Sequence, residues 1–268
     1  MTLETLGSFV MKIHPTAIVD TKAKLADDVE VGPYAIIGPH AEIKKASKIA
    51  SHAVIDGYTT IGENCRIFTG ACVGTIPQDL KYKGGKSFLK IGNNNIIREY
   101  VTINPGTKVG GVTSIGSGNL LMAYSHVAHD CIVGNGCIIA NSGTLAGHVE
   151  LEDKVVMGGL AAIHQFVRVG KLSIIGGCSK VVQDIPPFST CDGHPAKVYG
   201  LNLVGLRRAN ISKDAQGALK KSFKILFHSG LSFRHVVDRV YQEAGHFEEV
   251  DYLIDFIKNS KRGMSRGV

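Results

Sequence analysis

Four histidines, His126, His129, His148 and His164, fall in one 39-residue window of otherwise aliphatic, glycine and small polar side chains, and Asp130 follows His129 directly. An imidazole titrates near neutral pH, so it can carry a proton or ligate a metal. A carboxylate accepting from one ring nitrogen raises the basicity of the other. Three chemistries are open to this set. His129 can act as general base towards a substrate hydroxyl. His126-x-x-His129 with His148 can supply imidazole ligands to zinc. Alternatively, the histidines pack at a surface or an interface without reacting.

Side chains this far apart in sequence meet only if the chain returns on itself at a fixed step. Every sixth residue from Ile13 to Val181 is Ile, Val, Leu or Met, except Asp79 and Gly85. A helix of 3.6 residues per turn cannot carry that beat, and a flat sheet of period two would not single out every sixth residue. Three short strands per coil, six residues to a side and 18 to a turn, account for it, which makes the chain a β-solenoid. Small side chains fill the fifth slot of many hexads (Ala17, Ala35, Ala53, Cys65, Ala71, Cys131, Cys137), where they fit beside the large aliphatic at an inner corner. Glycine often follows the aliphatic, as at Gly32, Gly38 and Gly134, and marks the turns.

Steps of 18 from His129 reach Gly147 and Gln165, and the same step joins Asp130 to His148. The histidines and Asp130 are therefore expected on three successive coils, most of them along one edge, with neighbours about 5 Å apart. A glycine backbone beside imidazoles and a carboxylate is a candidate acid/base site. Two stretches interrupt the beat. The polar run from 75 to 90, with Gln78, Asp79 and Lys81, reads as a loop thrown out of the prism, a place where function is commonly carried. Pro105 to Ser114 is shorter and keeps register through Val109.

The solenoid is expected over residues 13–190, after an N-terminal extension of residues 1–12. Asp-Ile-Pro-Pro-Phe (184–188) ends the beat, because prolines donate nothing to a strand ladder. Residues 191–268 form a small helical domain. Its helices are expected over 213–228 with Ser212 as cap and Gly230 as stop, from Ser232 to Ala244, and from Glu248 to Lys258. The formal charge is +7, and from Thr190 onward 13 Lys/Arg face 8 Asp/Glu, so +5 of it lies in the last 79 residues. A basic end suits an acidic or phosphate-bearing partner or a solubilising surface. Basic residues are not interleaved with a stacking platform of aromatics, which argues against nucleic acid. No apolar run is long enough to span a membrane. The six cysteines form no CxxC pair and read as buried thiols in a reducing compartment, the cytoplasm.

Specific motifs carry a closer resemblance. Ile-His-Pro-Thr-Ala-Ile-Val, Gln-Asp-Leu-Lys-Tyr, Asn-Leu-Leu-Met, His-Val-Ala-His-Asp-Cys, Leu-Ala-Gly-His-Val, His-Gln-Phe, Gly-Gly-Cys-Ser and Asn-Leu-Val-Gly-Leu-Arg-Arg run through nearly the whole chain. Together they resemble the acyl-ACP–UDP-N-acetylglucosamine O-acyltransferases of lipid A biosynthesis. The resemblance implies a homotrimer of left-handed parallel β-helices, each followed by a small α-helical domain, with active sites between subunits. A 3-hydroxyacyl group would pass from the phosphopantetheine of acyl carrier protein to the glucosamine 3-hydroxyl, with no further cofactor and no metal.

By carry-over, His129 is the base, Asp130 its orienting partner and the Gly147 amide the oxyanion donor. Gln78, Asp79, Lys81, His126 and His148 meet sugar, phosphate and acyl chain. His164 and Gln165 meet the phosphopantetheine or the nucleotide, and Asn202, Arg207 and Arg208 the nucleotide. Gly177 falls where acyl length is gauged. Val204 stands where the family often has an acidic residue. A 3-amino sugar acceptor, or a zinc-dependent hydratase on the same scaffold, are the alternatives.

Overall fold

The aliphatic beat becomes a repeating unit of a two-residue strand and a tight corner. In a strand such as Glu42–Ile43 the first side chain points outward and the second, the beat residue, is buried. Ile37, Ile43, Ile55, Ile61, Ile67, Leu89, Ile97, Ile103 and Leu121 are all within 4% of complete burial, and Ala35, Ala41, Ala53, Cys65 and Ala71 fill the corners beside them. The computed structural model describes residues 12–228, 233–265 and 267. The expected extension (apart from Lys12), Gly230 and Ser232 lie outside the described residues.

The chain divides into two compact units, one running to Tyr124 with Ala128–Asp130 added, the other holding Ser125–Val127 and Cys131–Val268. In the first unit each strand pairs in parallel with its equivalent one coil away: Lys12 with Glu30, Ile18 with Ile36, Lys24 with Glu42. The step is the expected 18 until the loops intervene. Ile61 then pairs with Ile91, a step of 30, and Ile91 with Ile115, a step of 24.

These pairings correct two details of the sequence reading. The strand returns at Phe88, so Phe88–Lys90, expected in the loop, are ladder residues. Val109 does not keep register: it is 78% exposed at the tip of a turn, and Thr113 and Ile115 supply the inward side chains of that coil. Gly110, at φ 78°, lets the chain turn there, and a six-residue excursion preserves the beat in sequence while leaving its residue outside the core.

The two turn positions of a corner differ, with consequences for the site. The first turn residue donates its N–H to no ladder partner, which is why Pro15, Pro33 and Pro39 can occupy it. At many corners, though not those of Pro15 and Pro39, the second is left-handed: Tyr34 (φ 58°), His52 (57°), Asp130 (58°) and His148 (60°) all take a conformation that L residues rarely adopt.

In the second unit the step of 18 continues, with His126 opposite Thr144 and Thr144 opposite Ala162. The last coil gives way to an antiparallel pair, Ser189–Gly193 with Ala196–Leu201. Among the described residues four helices follow: α1 (Leu203–Arg208), α2 (Lys213–His228), α3 (Phe233–Ala244) and α4 (Glu248–Lys258). The last three match the apolar pattern, and Ser212 Oγ accepts from Ala215 N at 3.1 Å as the cap of α2. Helix α1, at six residues, is too short to show a helical period. Val250, Leu253 and Ile254 of α4 are fully buried. Its Tyr252 hydroxyl donates to Glu152 at 2.5 Å, the Lys171 ammonium lies 3.6 Å from the Tyr252 ring, and Arg168 lies 4.5 Å from the Phe256 ring. The helical end is thus pinned to a coil by charge as well as by apolar contact.

Candidate active site

In the first unit, His129 and Asp130 occupy the two turn positions of one corner. The left-handed backbone of Asp130 turns its carboxylate back on the neighbouring ring, and His129 Nδ1 lies 2.9 Å from Asp130 Oδ2. An ionised carboxylate only accepts, so the hydrogen of this bond is on Nδ1, and in the neutral ring Nε2 is the basic nitrogen. Sequence neighbours here do face each other, and the reason is the sign of φ.

Asp130 is held from three directions. Its N–H donates to Thr113 Oγ1 at 2.7 Å, the Thr107 hydroxyl donates to Oδ2 at 2.7 Å, and the Thr107 N–H reaches Oδ2 at 3.2 Å and Oδ1 at 3.3 Å. Gly111 makes the approach possible, because a Cβ there would lie 2.9 Å from the Lys108 carbonyl oxygen and 3.2 Å from Asp130 Oδ1. Neither threonine was singled out by the sequence. Both belong to the segment where the beat is broken, and only the glycine spacing hints that the backbone approaches something closely.

Asp79 comes from the long loop to the same ring. Its Oδ2 is 3.9 Å from His129 Nε2, beyond hydrogen-bond reach but close enough to stabilise an imidazolium. Its other oxygen accepts from Lys81 N at 2.9 Å, which fixes the loop's turn. The Gln78 and Lys81 side chains are exposed, while the ring of His129 and the carboxylates of Asp79 and Asp130 are only 15%, 25% and 14% exposed. Burial at this level strengthens each charge interaction.

The second unit carries the remaining candidates. Gly147 occupies the first turn position of its corner, the proline-tolerant slot, and its buried N–H donates to no acceptor among the described residues. That is an unspent donor of the kind an oxyanion site uses. His148 stacks on Phe166, with centroids 4.6 Å apart, one coil on. His164 and Gln165 are exposed at the next corner, where His164 Nδ1 lies 3.2 Å from the Gln165 carbonyl. His126 is half-buried on the strand His126–Val127.

Gly177 is exposed, and a Cβ there would meet only the Gly159 carbonyl, at 3.3 Å. The Asn202 side chain caps α1, accepting from Gly205 N at 2.9 Å and donating to the Leu172 carbonyl at 2.8 Å, so part of its capacity is structural. Arg207 and Arg208 are exposed in the last turn of α1, and Val204 is 49% exposed.

A parallel solenoid with a six-residue beat and a histidine–carboxylate pair at a corner defines a hexapeptide-repeat transferase. Residues 113–147 match the family model for bacterial transferase hexapeptide repeats, and residues 184–265 match the one described as UDP-N-acetylglucosamine O-acyltransferase, domain 2. The chain belongs to the acyl-[acyl-carrier-protein]–UDP-N-acetylglucosamine O-acyltransferase family. It is 48% identical to the member from Thermodesulfovibrio yellowstonii over 95% of its own length and 99% of that relative. The solved UDP-N-acetylglucosamine acyltransferase from Campylobacter jejuni is 43% identical, with a TM-score of 0.89 over 96% of this chain and all of that one. The Arabidopsis UDP-N-acetylglucosamine acyltransferase is 34% identical, with a TM-score of 0.86 over 95% of this chain and all of that one. The fold is therefore the left-handed parallel β-helix with C-terminal α-helices that the motifs implied. No helix among the described residues is long and apolar enough to cross a membrane.

Proposed function

We infer that the protein transfers a 3-hydroxyacyl group from acyl carrier protein to the 3-hydroxyl of UDP-N-acetylglucosamine, the first step of lipid A biosynthesis. The observation that carries the mechanism is the 2.9 Å bond from His129 Nδ1 to Asp130, which sets the ring so that Nε2 is the nitrogen that accepts a proton. Nε2 takes the proton of the sugar hydroxyl as its oxygen attacks the thioester carbonyl. The oxyanion that forms is met by the Gly147 N–H. Collapse of the tetrahedral intermediate breaks the carbon–sulfur bond, and the imidazolium returns its proton to the departing phosphopantetheine thiolate. Asp79 stabilises the imidazolium in the interval. A thioester is already activated, so positioning, one base and one oxyanion donor suffice, and the reading calls for no metal and no cofactor beyond the carrier's own arm.

Gln78, Lys81, His126 and His148 contact sugar, phosphate and acyl chain in this reading. His164 and Gln165 contact the phosphopantetheine or the nucleotide, and Asn202, Arg207 and Arg208 the nucleotide. Gly177 leaves room along the acyl path. The enzyme acts as a homotrimer in the cytoplasm with active sites shared between subunits. The +5 charge of the last 79 residues steers the acidic carrier to it.

The test is direct. Purified protein is incubated with UDP-N-acetylglucosamine, or its 3-amino analogue, and 3-hydroxyacyl carrier proteins of graded chain length, and the product is weighed. A mass gain of one hydroxyacyl group on the sugar nucleotide is expected, unaffected by a chelator. Loss of turnover on chelation would favour the zinc-dependent alternative, and turnover by H129A near the wild-type rate would remove the base assignment.

A further inference from the structure

We propose that Thr107 is a positioning residue for the transfer: it holds Asp130 so that the carboxylate keeps the His129 ring in the one tautomer whose Nε2 is basic. The proposal rests on the transferase reading. A carboxylate at the tip of a turn is free to rotate about two torsions, and its bond to the adjacent ring is only as well aimed as those torsions are fixed. The anchor comes from a different segment, the excursion between strands Thr102–Ile103 and Val112–Ile115.

Thr107 meets the carboxylate twice, with its hydroxyl 2.7 Å from Oδ2 and its amide 3.2 Å from the same oxygen, which also accepts from His129 Nδ1. Because a carboxylate oxygen only accepts, the hydroxyl must be the donor. Several donors on one oxygen keep the negative charge localised there, so the ring proton stays on Nδ1. Thr107 bonds to Asp130, and its effect on His129 passes through that carboxylate.

The test compares T107V, which keeps the shape and removes the donor, with T107S, which keeps the donor. T107V should lower kcat about 10–100-fold, by analogy with the outer partners of metal-bound histidines, with KM for the sugar nucleotide within about threefold of wild type. T107S should stay within about threefold on both. T107A, which opens space, should show the loss seen for T107V, so that a folding defect peculiar to valine is recognised. In an H129A background T107V should cost nothing further, because the group it positions is gone.

Nitrogen-15 spectra of the His129 ring give a readout independent of turnover: one Nδ1–H tautomer in wild type and T107S, a mixture in T107V. Equal losses for T107V and T107S, full effect in H129A, or an unchanged tautomer in T107V would each overturn the proposal. A wild-type protein that shows the single tautomer but no transfer would instead strike at the transferase reading and leave the positioning role standing.

Discussion

His129 Nδ1 and Asp130 Oδ2 are 2.9 Å apart although the residues are adjacent in sequence, and the contact exists because Asp130 is left-handed at φ 58°. D130N keeps the size of the side chain but can present an N–H to the ring in place of an acceptor, which favours the wrong tautomer. We expect kcat to fall by about 10²–10⁴-fold with the melting temperature nearly unchanged. Steady-state kinetics and a thermal scan check both. A D130N enzyme within tenfold of wild type would show that the pairing does not matter to the reaction.

Gly111 is where the excursion comes closest to that carboxylate. In G111A the added Cβ meets the Lys108 carbonyl oxygen at 2.9 Å and Asp130 Oδ1 at 3.2 Å, and backbone cannot give way as a flexible side chain can. Overpacking of this kind costs about 1–3 kcal/mol. Denaturant unfolding should report the loss, and activity should fall with it because Asp130 is displaced. Wild-type values for both would mean that the segment is looser than its geometry.

Tyr252 joins α4 to the coil that carries Glu152. Burial, followed by the hydrogen bond to Glu152, holds its phenol well above the usual range, so the hydroxyl stays protonated and donating at all physiological pH. Y252F removes one hydrogen bond to a charged acceptor and should destabilise by about 1.5–3 kcal/mol. The comparison must be made at one protein concentration, since assembly would add to apparent stability. An unchanged unfolding midpoint would rule out the clamp.

Burial pushes the Cys137 thiol up to about 11 and the Cys191 thiol to about 12. Unfolded, both titrate near 8.5. The folded pKa lies above the unfolded one in each case, so their contribution to stability is complete below about pH 8.5 and is lost as the pH rises through 11 to 12. A thiol reagent at pH 8 should leave both unmodified until denaturant is added, as read by mass spectrometry of peptides. Labelling of either in the folded protein would contradict their burial.

The beat of six determined, without coordinates, that the chain is a coil of three-strand turns with its aliphatics inward. The inner slot of each hexad is too small and too apolar for anything else, so the pattern had to repeat visibly. The apolar stripes of α2, α3 and α4 were legible for the same reason, and the motifs placed His129 and Asp130 together as base and partner. The beat was silent where it was broken. It counted Val109 as inward because an excursion of six residues leaves the arithmetic intact, and only pairing across the ladder, with Ile91 opposite Ile115, shows that the residue left the core. The sequence could not supply Thr107, because a hydrogen bond across 23 residues of chain depends on where a loop lies and has no period to betray it. Nor could it say that the Gly147 amide lacks an acceptor among the described residues. Backbone donors look alike in sequence, and which of them goes unused is decided by the corner geometry of the folded coil.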